Sequence, residues 1–201
     1  MKPINLTLNS VLQLTQPDIN TLIYISGLLP KDFVVVEIGA WVGHSTICLA
    51  ATLKEKGGRI YTIDTFKGEG TDLATYVGID PENILKQNIV KNGYSLDEIT
   101  VINGRSDDVV DQVPDEIDLL FIDGDHRYSQ VCRDIDNYSP KVKGGGCGII
   151  CGHDFDRYDY DERYIEQDAE RGHHHGVVKA VMERYPHVSR LPSSVWFWVK
   201  E

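Results

Sequence analysis

Closely paired cysteines are missing from this chain. Its four, Cys48, Cys132, Cys147 and Cys151, include no CxxC spacing, which argues against a structural zinc site or a disulfide framework. Three of them lie in strand-like or helix-like apolar runs, so they are expected to be reduced and mostly packed in the core. No apolar run approaches the roughly 20 residues of a helical membrane span, so no membrane role is expected. The opening residues, MKPINLTLNSVLQL, lack the basic region and continuous apolar segment of a signal peptide, and the cytoplasm is the expected location. Basic residues are in deficit, with 20 Lys and Arg against 31 Asp and Glu and a net charge of −11. Phosphate binding draws on clustered cations, so nucleic acid is not expected as a partner and small molecules become the default ligands. Internal repeats and low-complexity segments are also lacking.

What is present suits one domain over residues 1–201, long enough to bury on the order of 70% of its unfolded surface. The apolar fraction of 41% and charged fraction of 25% are those of an ordinary globular protein. Pro17 followed by Ile19, Leu22, Ile23 and Ser26 predicts an N-terminal helix, a helical cap within residues 1–30. Strands are expected over residues 33–38, 59–63, 99–102, 117–122 and 147–151, with helices over 45–56, from the Asp80 cap to about Asn92, briefly after Ser106, over 128–138 and over 176–185. Residues 188–191 and 195–199 read as a closing antiparallel pair. The alternation predicts an α/β fold, a Rossmann-like seven-stranded, mostly parallel sheet with helices on both faces. Residues 154–175, long, acidic and aromatic, read as a lid-like insertion. Trp196 and Trp198 alternate on one strand, so one faces the core and the other a helix layer or the partner in a homodimer.

The segment EIGAWVGHS follows the first apolar strand and opens a helix. Gly39 and Gly43 leave backbone without side chains where a ligand can come close. A GxGxxG dinucleotide turn needs glycine where the chain has Trp41, so Glu37 starts an ExGxxxG pattern that favours S-adenosylmethionine (SAM) over NAD. Asp64 ends the second strand, where doubly wound folds place an acid against a ribose, although a turn cap explains it too. IDGDH brings Asp123, Asp125 and His126 together, and GHDF follows the next strand with His153 and Asp154. Asp123, His153 and Asp154 form a mixed oxygen and nitrogen set that suits Mg²⁺ or another divalent cation, with helix or turn capping as the alternative.

These motifs together resemble the class I SAM-dependent methyltransferases of the small-molecule O-methyltransferase type. EIGAWVGHS resembles the first SAM motif of catechol O-methyltransferases, and FIDGDH, GGG and GHDF resemble the sugar and antibiotic O-methyltransferase branch. The resemblance implies that Glu37, Gly39, Ala40, Trp41 and Gly43 meet the methionine part of SAM, with Ser45 near its carboxylate. It implies Asp64 on the ribose and Gly104, Arg105, Ser106 and Asp107 near the adenine. Asp123, which also lines the cofactor side, would hold the cation with His153 and Asp154, and His126 would be the general base. Histidine at the first position of that last pair departs from the commoner Asp-Asn or Glu-Asp. The acceptor implied is a small hydroxylated molecule such as a sugar, phenol or natural product. Selectivity is expected from the N-terminal segment, residues 66–79 and residues 156–175, which carry Tyr158, Tyr160 and Tyr164. Metal-independent transfer and SAM binding without turnover remain open, and His173, His174 and His175 read as loop and helix-start residues near the cleft, with a second metal site there as the lesser alternative.

Overall fold

The computed structural model describes residues 14–68, 78–155, 174–190 and 192–201. Helix α1 (Gln16–Leu28) starts at Thr15, whose side chain accepts from Asp18 N while the Asp18 carboxylate accepts from Thr15 N, a reciprocal capping box. Strand β1 (Phe33–Ile38) is the apolar run FVVVEI, almost wholly buried because both of its faces are covered. The single helix expected over residues 45–56 is three short pieces: α2 (His44–Leu49), a 3₁₀ turn (Ala50–Thr52) and α3 (Leu53–Lys56). Strand β2 is Gly58–Asp64. Helix α4 (Pro81–Lys91) has its cap at Asp80, which accepts from Asn83 N, and Pro81 in the first turn, as its sequence predicts.

Strand β3 (Ile99–Asn103) is followed by two 3₁₀ turns, Ser106–Asp108 and Val110–Gln112, in place of a short α-helix. Strand β4 is Leu119–Ile122, shorter than expected, with Ile117 held by an isolated bridge to Val142. Helix α5 (Tyr128–Tyr138) precedes β5 (Gly148–Gly152), and α6 (His174–Arg184) begins two residues earlier than expected, so that His174 and His175 lie in its first turn. Among the described residues six strands have four residues or more; β7 is Trp196–Lys200, and the two-residue β6 (Ser189–Arg190) pairs along its outer edge. The seventh full strand of the expected sheet is thus shortened to a two-residue ladder. Pro186 and Pro192 bracket it, and neither can donate a ladder hydrogen bond.

The strand order is β3-β2-β1-β4-β5-β7-β6, with β1 to β5 parallel and β7 antiparallel to both neighbours. The chain winds outward in opposite directions from β1 and β4, so the switch point lies between them, and open α/β sheets bind ligands beyond the carboxyl ends there. Ile38 pairs with Ile122 and Ile122 with Gly152, so Gly39, Asp123 and His153 leave neighbouring strands at one level. Alternation along β1 sends Val36 to a core shared with Val131, Ile135, Val177 and Trp196, and Val35 to one shared with Leu22, Ile25, Ile47 and Leu85. Trp196 and Trp198, two positions apart, lie on one face of β7 and both stack on Tyr185, at 6.0 and 4.7 Å, so the expected division of the two between core and another layer does not hold; Trp196 is fully buried and Trp198 partly so. Cys48, Cys132 and Cys151 are buried free thiols and Cys147 is exposed. Among the described residues no helix is long and apolar enough to cross a membrane. Most of the expected insertion, residues 156–173, lies outside the described residues, as do residues 1–13 and 69–77.

Candidate active site

The turn after β1 owes its shape to its glycines. Gly39 has φ +92°, and a Cβ there would stand 2.0 Å from the Asp123 carbonyl oxygen. Gly43 has φ +87°, and its Cβ would stand 2.3 Å from Leu85 Cδ1. The space left by both glycines is therefore filled by β4 and α4, where the sequence suggested the approach of a ligand. Trp41, the residue that departs from the dinucleotide pattern, takes the left-handed region at φ +43°. Asp64 holds this turn: its Oδ2 accepts from Ala40 N at 2.9 Å and Trp41 N at 2.7 Å, and its Oδ1 accepts from Phe66 N at 2.7 Å. Burial raises the Asp64 carboxyl, and these amide bonds only partly counter it.

Glu37 is fully buried beneath the turn. The β1–β2 register sets it opposite Thr62, and its Oε2 accepts from Thr62 Oγ1 and Thr46 Oγ1, each at 2.6 Å. Burial pushes its pKa up. Its Oε1, Trp41 Nε1 and both ring nitrogens of His44 are buried without a hydrogen-bond partner among the described residues, a concentration of unsatisfied groups around one turn. Ser45 and Ala40 are buried beside them. Burial alone lowers the pKa of His44, favouring its neutral form.

Past β3, Gly104 N donates to Asp64 O at 3.0 Å, and Arg105 is exposed. Ser106 Oγ donates to Asp134 Oδ1 at 2.6 Å, and Asp107 accepts from Arg133 Nε at 3.2 Å and Asn137 Nδ2 at 3.3 Å. Two of the four residues expected near adenine thus hold the loop to α5. Asp134 was not among the sequence-derived candidates; burial pushes its carboxyl up to about 7 against the hydrogen bonds from Ser106 and Gln130.

The acid and imidazole cluster forms where β4 and β5 end. Asp123 N donates to Ile38 O at 2.7 Å, which sets IDGDH against the glycine turn. His153 Nδ1 lies 3.0 Å from Asp154 Oδ1 and 3.8 Å from Asp123 Oδ1. His126 Nε2 lies 2.9 Å from Asp154 Oδ2, and His174 Nε2 lies 3.3 Å from Asp154 Oδ1. Asp154 is buried at φ +58°, a left-handed conformation that carries on the order of 1 kcal/mol of strain and is found where geometry matters. Behind the cluster, His153 Nε2 lies 3.4 Å from Asp18 Oδ2.

Charge balance follows from this packing. Burial pushes the Asp123 carboxyl up, partly countered by His153. Burial opposes the charged form of His153, but Asp123, Asp154 and Asp18 outweigh it and push its pKa up. Burial also opposes ionisation of Asp154, yet His126 and His153 hold it well below the usual carboxylate range. Donor atoms of Asp123, His153 and Asp154 all lie within 4.8 Å of one another, so the three converge closely enough for one divalent cation. His126, Asp154 and His174 meet the same test. Asp18 was missed by sequence reasoning, and His174, expected at a helix start near the cleft, was not assigned to the cluster it joins. The capping box marks Asp18 only as a helix start, and the HHH run carries no partner information.

A family model for the methyltransferase domain matches residues 36–155, from β1 through the glycine turn, IDGDH and GHDF. The chain belongs to the methyltransferase-domain family. Within it, the chain is similar to the uncharacterized protein R132 of Acanthamoeba polyphaga mimivirus, 33% identical over 49% of this chain and 52% of that one. It is also similar to the "Probable cobalt-precorrin-6B C(15)-methyltransferase (decarboxylating)" of Sulfurisphaera tokodaii, 25% identical over 68% of this chain and 62% of that one. The matches thus span about half to three fifths of these curated relatives. Among solved structures, the O-methyltransferase from Bacillus cereus in complex with SAH shares the fold, with a TM-score of 0.62, 19% identity and coverage of 94% of this chain and 83% of that one. The matched residues include the expected cofactor, cation and base positions from Glu37 to Asp154, while residues 156–175 lie beyond the match.

Proposed function

We propose that this methyltransferase-family protein transfers the methyl group of SAM to a hydroxyl of a small molecule, assisted by a divalent cation. The observation that carries the reading is the convergence of His126, Asp154, Asp123 and His153 at the switch point, with His126 Nε2 2.9 Å from Asp154 Oδ2, beside a glycine turn rich in unsatisfied buried groups. That turn supports a cofactor with polar groups to share: Trp41 Nε1 and the His44 nitrogens are buried without partners among the described residues, and Asp64 sits at the neighbouring strand end. When bound, SAM supplies the methyl group and a divalent cation such as Mg²⁺ supplies Lewis-acid polarisation of the acceptor oxygen.

The chain's own residues have separable tasks in this reading. Asp64 and Gly39 keep the turn docked on β2 and β4, so the residues that face the methyl donor are ordered before it arrives. Asp123, His153 and Asp154 hold the cation. His126 takes the acceptor's proton; with Nε2 directed at Asp154, the proton goes to Nδ1, and Asp154 steadies the imidazolium that results. Acceptor selectivity falls to the loops around the strand ends, with a sugar, phenol or other polyhydroxylated natural product as substrate, and the cytoplasm as the site of action.

A second reading, metal-independent transfer, is favoured by the same His126–Asp154 pair, because a carboxylate at 2.9 Å orients a histidine base with no ion present. Calorimetric titration with SAM, with and without Mg²⁺, followed by labelled-methyl transfer onto a panel of phenols and sugars, tests both. Turnover stimulated by Mg²⁺ and lost in Asp123→Ala supports the first reading. Turnover indifferent to a chelator supports the second, and absence of SAM binding overturns both.

A further inference from the structure

His174 is the one imidazole of the cluster that the transfer reaction leaves without a task. It opens α6, half exposed, and directs Nε2 to within 3.3 Å of Asp154 Oδ1. Across it, His126 Nε2 lies 2.9 Å from Asp154 Oδ2, and the two imidazole rings meet edge to face with centroids 5.5 Å apart. We propose that His126, Asp154 and His174 form a second cation site, selective for a borderline transition metal such as Zn²⁺.

The geometry suits such an ion. A tetrahedral Zn²⁺ with arms near 2.0 Å sets its ligand atoms about 3.3 Å apart and two bound imidazole centroids about 5 Å apart. The two imidazoles approach different oxygens of Asp154, at 2.9 and 3.3 Å, with their centroids 5.5 Å apart, and one ligand atom from each of the three residues lies within 4.8 Å of the others, so side-chain rotation suffices to bring them onto one ion. Ligand chemistry separates this site from its neighbour. Two imidazoles and one carboxylate favour Zn²⁺, Co²⁺ or Ni²⁺, whereas Mg²⁺ prefers oxygen donors and retained water. Three protein ligands leave a fourth position open, as in zinc sites that accept water or a substrate atom. The ligands come from three separate segments, the turn after β4, the turn after β5 and the start of α6, so binding also pins α6 to the strand ends.

One consequence rests on the proposed role of His126. An ion that takes the lone pair of His126 Nε2 leaves the neutral ring's hydrogen on Nδ1, the atom that must accept the proton, so Zn²⁺ inhibits transfer where Mg²⁺ does not.

The test is direct titration of the full chain with Zn²⁺ alone, and with Co²⁺ read by its visible d–d absorption. One ion binding with a four-coordinate Co²⁺ spectrum is expected, with affinity at least about 30-fold weaker in His174→Ala and changed less than threefold in Asp123→Asn. His174 is half exposed in a first helical turn, so its replacement leaves the core untouched; His174→Asp keeps an oxygen donor and recovers part of the affinity. Zinc affinity equal in the parent and His174→Ala overturns the site, as does loss in Asp123→Asn with none in His174→Ala. Zinc bound through His174 without inhibition of transfer keeps the site and overturns His126 as the base.

Discussion

His153 Nε2 lies 3.4 Å from Asp18 Oδ2, although 134 residues separate them in the chain. The contact ties the start of α1 to the end of β5. Ser194 completes the junction, its N donating to Asp18 Oδ1 at 2.9 Å and its carbonyl accepting from Phe155 N at 3.0 Å. One carboxylate thus serves as a helix cap, an anchor for the C-terminal strand and the rear support of a site histidine.

Asp18→Ala should therefore destabilise the fold by about 2–4 kcal/mol, since it leaves the Thr15 and Ser194 amides without their acceptor and His153 without a counter-charge. Burial opposes ionisation of Asp18, but His153, Thr15 and Ser194 hold its pKa well below the usual carboxylate range. A depressed carboxyl contributes stability that is present above its unfolded pKa and lost as the pH falls. Urea unfolding at pH 7 reads the first effect. A change under about 0.5 kcal/mol would show that the junction is dispensable.

Gly39→Ala tests whether this glycine serves packing. Its Cβ would stand 2.0 Å from the Asp123 carbonyl oxygen at φ +92°, so β4 or the turn must move. A loss of at least about 3 kcal/mol, or insoluble protein, is expected. Wild-type stability and SAM affinity in this variant would refute the packing argument.

Asp134 gives the pH dependence. Burial lifts its folded pKa to about 7 from 3.8. The folded state therefore binds a proton that the unfolded state has released, so its contribution is fully present below about pH 3.8 and is lost as the pH rises through about 7. With about 1.4 kcal/mol per unit, the change across that window approaches 4 kcal/mol. Asp134→Asn should flatten it, gaining on the parent as the pH moves from 5 to 8; parallel stability curves would contradict the shift.

His126→Ala should lower kcat by about 10²- to 10⁴-fold with SAM affinity unchanged, the range associated with loss of a general base. Single-turnover methyl transfer separates the chemical step from binding. An unchanged rate with the true acceptor removes the base assignment.

Asp64→Ala should weaken SAM binding and the fold together, because the amides of Ala40, Trp41 and Phe66 lose their shared acceptor. Calorimetry with SAM and thermal unfolding measure the two. Weakened SAM binding at unchanged stability would assign Asp64 to the ligand alone.

Much of this architecture is legible in the sequence because it is local. The Asp80 cap and the FVVVEI strand each follow from residues a few positions apart. The break of the 45–56 helix and the shortened β6 were not legible, since packing under α1 and edge pairing depend on distant partners. For the site, IDGDH and GHDF announce themselves by their density of polar groups. Asp134 does not, because only its burial against the Ser106 turn distinguishes it from Asp136, the other acid of α5.

The sequence by itself determined the alternation of strands and helices, the glycine turn and the acid and imidazole motifs that follow β4 and β5. These depend on short-range periodicity and on residue chemistry, which a linear chain displays openly. Only the tertiary structure decided that Gly39 makes room for Asp123, that Glu37 and Asp64 brace the turn, and that Asp18 and His174 join the cluster from opposite ends of the chain. Those contacts arise when parallel strands in register bring remote loops to one edge of the sheet, where buried charges must find partners wherever the fold supplies them.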